Sequence, residues 1–155
     1  MVRGLVRADV RFSVIGGVAA ILHGSVRNTD DLDVCYDPAN DNIEHLVSVL
    51  RSWDAYLRGV EPGLPWVLDV RALKVSPVLT LRGTEGWIDI MDRVQGVGDW
   101  VDVNAASVNA TWDTLRFRIL SLDALIAAKR ATGRVKDRDP LLELEVLREL
   151  RRGAP

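Results

Sequence analysis

Short β-favouring apolar runs, each cut off by glycine, proline or aspartate, dominate the first third of the chain. Phe12–Ile15 is such a run and ends on Gly16 and Gly17; Val18 to His23 then has helical composition before Gly24 supplies a stop. The pattern predicts strand, turn, helix. A second strand is predicted over Asp31–Tyr36 by its length and β-branched content, closed by the turn-rich Asp37–Asn42 stretch, which also offers a cap for the next helix. In that helix Ile43, Leu46, Val47 and Leu50 recur at helical spacing. The Arg58–Pro65 stretch has loop composition, and Trp66–Val75 fits either a strand or an irregular segment. Two β-favouring runs flanking Gly83-Thr84-Glu85-Gly86 predict an antiparallel hairpin. Thr114–Leu120 is a further strand, followed by Ser121 as N-cap and a helix over Leu122–Ala131. A last amphipathic helix has Pro140 near its first turn and Leu141, Leu144, Leu147 and Leu150 along one side.

Alternating strands and helices over 155 residues, 48% of them hydrophobic, predict a single α/β domain over 1–155. Its C-terminal helical part runs from about 121 to 152. A net charge of −2 gives no global attraction for nucleic acid or anionic membrane, so any polyanion must be held by a local patch. The single cysteine, Cys35, excludes an internal disulfide and a cysteine-based zinc cluster and suits a reducing compartment. Arg3, Arg7 and Arg11 interrupt the N-terminal apolar runs, which makes a poor signal peptide, and no run is long enough to span a membrane. A cytoplasmic protein without membrane partners is expected.

The chemistry concentrates in three aspartates. Side chains alternate along a strand, so Asp31 and Asp33 share one face while Leu32 and Val34 occupy the other. Asp89, bracketed by Ile88 and Ile90, projects opposite to those isoleucines. Carboxylates held side by side raise one another's pKa or call for a cation, and a hard divalent ion with oxygen ligands answers that need. Three carboxylates from two strands suit a pair of magnesium ions roughly 3.5–4 Å apart, as used in phosphoryl and nucleotidyl transfer. Gly16 and Gly17, at a helix start, are the candidate triphosphate cradle, because backbone N–H groups can approach a phosphate there.

Cations complete the picture. Lys129 falls on the apolar face of its predicted helix, at i+4 from Leu125 and i+3 from Ile126, where a lysine must snorkel or meet an anion. Lys129, Arg130, Arg134, Lys136 and Arg138 face the lone acid Asp137, a composition suited to a triphosphate or an RNA backbone as well as to a solvated helix end. Within it Arg134 and Lys136 are the candidate acceptor-binding residues. Arg27, four residues before Asp31, is a candidate phosphate contact or an exposed loop residue. His23 and His45 have no zinc-ligand spacing, and the five tryptophans are read mostly as packing, with one of them free to stack a base.

Gly16-Gly17, the helix after it, Asp31-x-Asp33 and Asp89 resemble the motif of the nucleotidyltransferase superfamily related to DNA polymerase β. The Gly16–Val34 stretch and the Ile119–Asp137 tail more narrowly resemble bacterial abortive-infection nucleotidyltransferases of toxin–antitoxin pairs. The resemblance implies a mixed β-sheet flanked by helices and an enzyme that moves a nucleoside monophosphate from an NTP such as ATP, releasing pyrophosphate. It implies that Asp31 and Asp33 bind two magnesium ions and that Asp89 binds the catalytic one. Gly17 stands where many relatives have a phosphate-binding serine, a contact that Ser25 or Thr29 would then supply. The acceptor implied is RNA, a tRNA 3′ end, with a cognate antitoxin or toxin as protein partner. The alternatives are a minimal enzyme that modifies a partner protein or a small molecule such as an aminoglycoside, and a non-catalytic binding module of the same fold. Residues 41–76 carry no part of the resemblance.

Overall fold

A computed structural model describes residues 1–61, 63–133 and 138–153. The elements in chain order are α1 (Val2–Arg7), β1 (Phe12–Ile15), α2 (Gly16–Leu22), β2 (Asp31–Tyr36), α3 (Asn40–Ser52), β3 (Tyr56–Leu57), α4 (Val70–Val75), β4 (Val78–Gly83), β5 (Gly86–Met91), β6 (Arg93–Val94), β7 (Gly98–Asp99), α5 (Trp100–Ala105), β8 (Ser107–Trp112), β9 (Leu115–Leu120), α6 (Leu122–Thr132) and α7 (Arg138–Gly153). Seven strands form one sheet in the order β3-β4-β5-β2-β1-β9-β8, and β6 and β7 form a separate two-stranded ribbon. Pairs β1/β9 and β2/β5 are parallel and the rest of the large sheet is antiparallel, so the sheet is mixed, as expected.

One face of the central strands is built for burial. Val14, Leu32, Val34, Leu81, Ile88 and Ile90 are buried, and α3 contributes Ile43, Leu46 and Leu50 to the same core. The alternation that buries Ile88 and Ile90 sends Asp89 to the opposite face, and the same logic turns out Asp31 and Asp33. At the other end of the chain Ser121 caps α6 by accepting from the Ala124 N–H, and Gly133 ends it in the left-handed conformation that favours glycine.

Several elements depart from the sequence expectation. Trp66–Val75 holds a short helix, α4, because Asp69 caps it by accepting from the Ala72 N–H. The predicted inward row of α7 is broken: Leu144 is 1% exposed and Leu141 and Leu147 pack against the core, but Leu150 is 66% exposed. A 3.6-residue period rotates a strict i+3 row off the buried side within three steps. No helix among the described residues is long and apolar enough to cross a membrane.

Candidate active site

The three aspartates meet on one sheet face because β2 and β5 run parallel and in register. Asp33 stands opposite Asp89 and Asp31 opposite Trp87; across the next pair, Thr80 faces Asp89 and Arg82 faces Trp87. β3 adds Tyr56 opposite Arg82. Opposed residues project to the same side. Two parallel rows therefore run from the sheet edge inward: Tyr56, Arg82, Trp87, Asp31; and Thr80, Asp89, Asp33.

Asp33 is the most constrained of the acids. Burial, with help from the charges of Asp31 and Asp89, pushes its carboxyl up to about 6. The Gly17 N–H, donating to Asp33, and the charge of Lys129 act in the opposite direction. Lys129 is thus brought into electrostatic range of the acids, half-buried on α6, consistent with its apolar-face position in the sequence. Burial also raises the Asp89 carboxyl, partly offset by Arg58.

The glycine pair has a direct steric reason. Gly16 has φ of +60°, and a Cβ there would fall on the Asp33 carboxylate, 2.6 Å from its Cγ. A Cβ on Gly17 would lie 2.6 Å from Thr29 Oγ1. Thr29 therefore fills the space that a serine at position 17 would need, and its hydroxyl donates to Asp31 Oδ1 at 2.9 Å. The Gly17 N–H, expected to face a phosphate, serves Asp33 instead.

Ser25 and Arg27 are engaged elsewhere. Arg27 Nε pairs with Glu143 of α7 at 2.7 Å, the Val26 N–H donates to the same carboxylate at 2.9 Å, and Ser25 also hydrogen-bonds Glu143. This clamp ties the loop before β2 to α7. Of the expected basic patch, Arg130 pairs with Glu145 and Arg138 begins α7; Arg134 and Lys136 lie outside the described residues. His23 is buried, with Nε2 on the Leu120 carbonyl and Nδ1 beside Arg151 Nη1 at 3.1 Å, a structural role that agrees with its lack of zinc spacing.

Arg58 is the residue that sequence reasoning missed. Its Nη1 lies 3.5 Å from Asp31 Oδ2, its Nη2 3.3 Å from Asp89 Oδ1, and its guanidinium sits 5.4 Å from the Trp87 ring centroid. The Arg58 N–H donates to the Thr80 carbonyl, which brings the residue beside the acidic row. Its surroundings in the sequence, between Leu57 and Gly59, give no local sign of this; only the long-range pairing of β3 with β4 does.

The chemistry of the donor set fits a divalent cation. The candidate ligands are hard carboxylate oxygens, and Asp89 Oδ1 is buried without a hydrogen bond, Arg58 Nη2 donating instead to Asp89 Oδ2 at 3.4 Å. Among the described residues no three acidic, histidine or cysteine side chains converge tightly enough to hold a metal ion as they stand. Arg58 already bridges Asp31 and Asp89, so a cation shared by these acids has to compete with a guanidinium. Arg58→Gln is accordingly expected to tighten Mn²⁺ binding about fivefold, on the scale of losing two half-exposed ion pairs. Calorimetric titration of wild type and variant checks this.

No protein-family model matches the chain, and no curated protein sequence does. Solved structures do. A Thermotoga maritima protein assigned as a nucleotidyltransferase aligns over 92% of this chain and 86% of its own, at 18% identity and a TM-score of 0.57. The lincosamide antibiotic adenylyltransferase LnuA, bound to lincomycin, aligns over 92% and 90% at 16% identity and 0.61. The antibiotic-resistance factor ANT(2″)-Ia aligns over 97% and 86% at 14% identity and 0.55. Over nearly its whole length, the chain has the nucleotidyltransferase fold.

Proposed function

We propose that the protein is a magnesium-dependent nucleotidyltransferase that moves a nucleoside monophosphate from an NTP to an acceptor hydroxyl. The observation that carries this is the register of β2 and β5, which gathers Asp31, Asp33 and Asp89 on one face of a nucleotidyltransferase-like sheet. Asp31, Asp33 and Asp89 would hold magnesium, which when bound neutralises phosphate charge and stabilises the attacking and leaving oxygens.

The chain's own residues supply the rest. Gly16 keeps the backbone close to Asp33 and so fixes that carboxylate's direction, while Thr29 orients Asp31 through its hydroxyl. Asp89, whose Oδ1 makes no hydrogen bond of its own, is the carboxylate that the resemblance assigns to help take the acceptor hydroxyl proton. Lys129 is assigned to the triphosphate, and the Gly16–Gly17 turn, whose Gly17 N–H serves Asp33 in this structure, is the proposed cradle beside it. Ser25 and Arg27 join it only if the Glu143 clamp opens.

Lys129→Ala is expected to weaken NTP binding about tenfold, the scale of one charge-assisted hydrogen bond, with less than about 1 kcal/mol lost from stability. Because Lys129 lowers the Asp33 carboxyl, the variant's activity should also begin to fall at a higher pH than that of wild type. Calorimetry, thermal melts and a pH–rate profile check these outcomes.

For the acceptor we favour an RNA terminus, with tRNA, a toxin–antitoxin setting and a cognate protein partner as the finest form of the reading. Its support is the sequence resemblance and the basic residues around Lys129. Small-molecule transfer is the second reading, favoured by the likeness to LnuA and ANT(2″)-Ia. Incubation with each α-labelled NTP, magnesium and total RNA, with and without lincosamides and aminoglycosides, tests both. Label in RNA supports the first reading, label in the drug the second, and no transfer to any acceptor with no pyrophosphate release contradicts nucleotidyl transfer.

A further inference from the structure

We infer that the sheet edge formed by β3, β4 and β5 is a binding platform for the unpaired end of a single-stranded RNA, with Trp87 stacking a base and Arg82 meeting the backbone. The inference rests on the nucleotidyl-transfer reading for the chemistry at the aspartates and names the acceptor class that the surface beside them fits.

The platform begins on β5, the strand that also carries Asp89. Trp87 lies opposite Asp31 in the β2/β5 register, on the face that carries the carboxylates, and it is 45% exposed although β5 is an interior strand with β4 on one side and β2 on the other. An exposed indole costs apolar hydration unless something covers it. Arg58 fixes the ring by a cation–π contact from a guanidinium that is itself anchored on Asp31 and Asp89. The ring is thus held ready at the acidic centre rather than free to turn.

Arg82 stands opposite Trp87 on β4, exposed, and its guanidinium has no acidic partner among the described residues. Its charge is uncommitted, in contrast to that of Arg58. Tyr56 continues the row on β3 and makes an edge-to-face contact with Trp66, 5.6 Å between centroids. Aromatic, cationic and aromatic side chains therefore follow one another outward from Asp31, the combination that binds single strands through stacking and phosphate contacts. Neighbouring strands are about 4.8 Å apart, so a base on Trp87 keeps its own ribose within reach of Asp31 and Asp89.

Charge on this face comes from Arg82, since Arg58 is paired with Asp31 and Asp89, and Arg82 is the cation that a phosphodiester would meet there. Duplex ends, with their bases already stacked and paired, present no free face to Trp87.

The test is fluorescence anisotropy with a 5′-labelled 12-nucleotide single-stranded RNA and a blunt hairpin of the same length. It uses the full chain with magnesium and a non-hydrolysable NTP analogue, whose own affinity is measured by calorimetry. Wild type is expected to bind the single strand and not the hairpin. Trp87→Ala should weaken that binding roughly tenfold or more, Trp87→Phe should retain most of it, and Arg82→Ala should lower the salt slope by about one. NTP-analogue affinity should be unchanged in Trp87→Ala, which also shows that this variant is folded. No RNA binding by wild type, equal binding by Trp87→Ala, or equal binding of the hairpin overturns the platform. If the RNA results hold while wild type fails to bind the NTP analogue, the platform stands and the nucleotidyl-transfer reading falls.

Discussion

Asp33→Asn should abolish nucleotide transfer and, in the same protein freed of metal, raise its melting temperature at neutral pH. The loss in rate is expected to be at least roughly 10²–10³-fold, the scale of removing one preorganised charge from a reacting centre. The gain in stability follows from the Asp33 carboxyl, which burial and the neighbouring charges of Asp31 and Asp89 push from 3.8 up to about 6. A group with a raised folded pKa binds more protons in the folded than in the unfolded state between those two values. Its favourable contribution is complete below pH 3.8 and is lost as pH rises through 6, so at pH 7.5 the ionised carboxylate costs on the order of 1–3 kcal/mol. An isosteric amide removes that cost. Thermal melts in EDTA should show the variant several degrees more stable than wild type at pH 7.5, with the difference shrinking toward pH 4.5. Equal stability at both pH values, or full transfer activity with magnesium, would contradict this account of Asp33.

Gly16→Ala should be damaging to both stability and activity. Two costs add: an L side chain in the left-handed region at φ of +60°, and a methyl group placed on the Asp33 carboxylate. Together they are expected to lower stability by about 2–4 kcal/mol and to remove activity, because Asp33 must move to make room. The two costs are separable. In an Asp33→Gly background the carboxylate and the Asp33 Cβ, which itself would lie 2.9 Å from the added methyl, are both gone and only the backbone strain remains, so the penalty of Gly16→Ala should fall to about 1–2 kcal/mol. A double-mutant cycle by urea denaturation reads this difference, and an unchanged penalty would show that Asp33 is not what the glycine makes room for.

Elements whose signal is local were legible in the sequence. β1, β2, the β4–β5 hairpin, β9 and α6 each combine a short β-favouring or helical run with a local turn or cap signal, and the structure has them within a few residues of the expected limits. The aspartate faces were legible for the same reason: strand alternation is a property of neighbours in sequence. Elements whose identity depends on distant partners were not. β3 is two residues long and exists because it pairs with β4, so the arrival of Arg58 at Asp31 and Asp89 was invisible. β8, with exposed Val108 and Trp112, lacks the buried alternation of a half-covered strand and is defined by its pairing with β9. α1 and α5 are each six residues long, too short for a hydrophobic period to stand out.

Phosphate contacts were the least legible part of the candidate site. The expectation for Arg27 rested on nearness in sequence to Asp31 and that for Ser25 on replacing the serine that relatives carry at position 17, whereas Glu143, more than a hundred residues away, takes both. Thr29, the other hydroxyl expected to replace a serine at position 17, fills the space beside Gly17 and donates its hydroxyl to Asp31.

The most direct test of the central claim, that Asp31, Asp33 and Asp89 form a metal-dependent nucleotidyl-transfer centre, is Mn²⁺ binding followed by electron paramagnetic resonance with a non-hydrolysable NTP analogue present. The account predicts that wild type binds Mn²⁺ more tightly with the analogue than without it, and that Asp33→Asn loses this binding while remaining folded. Mn²⁺ binding that is absent in wild type, or equally strong in Asp33→Asn, would contradict it.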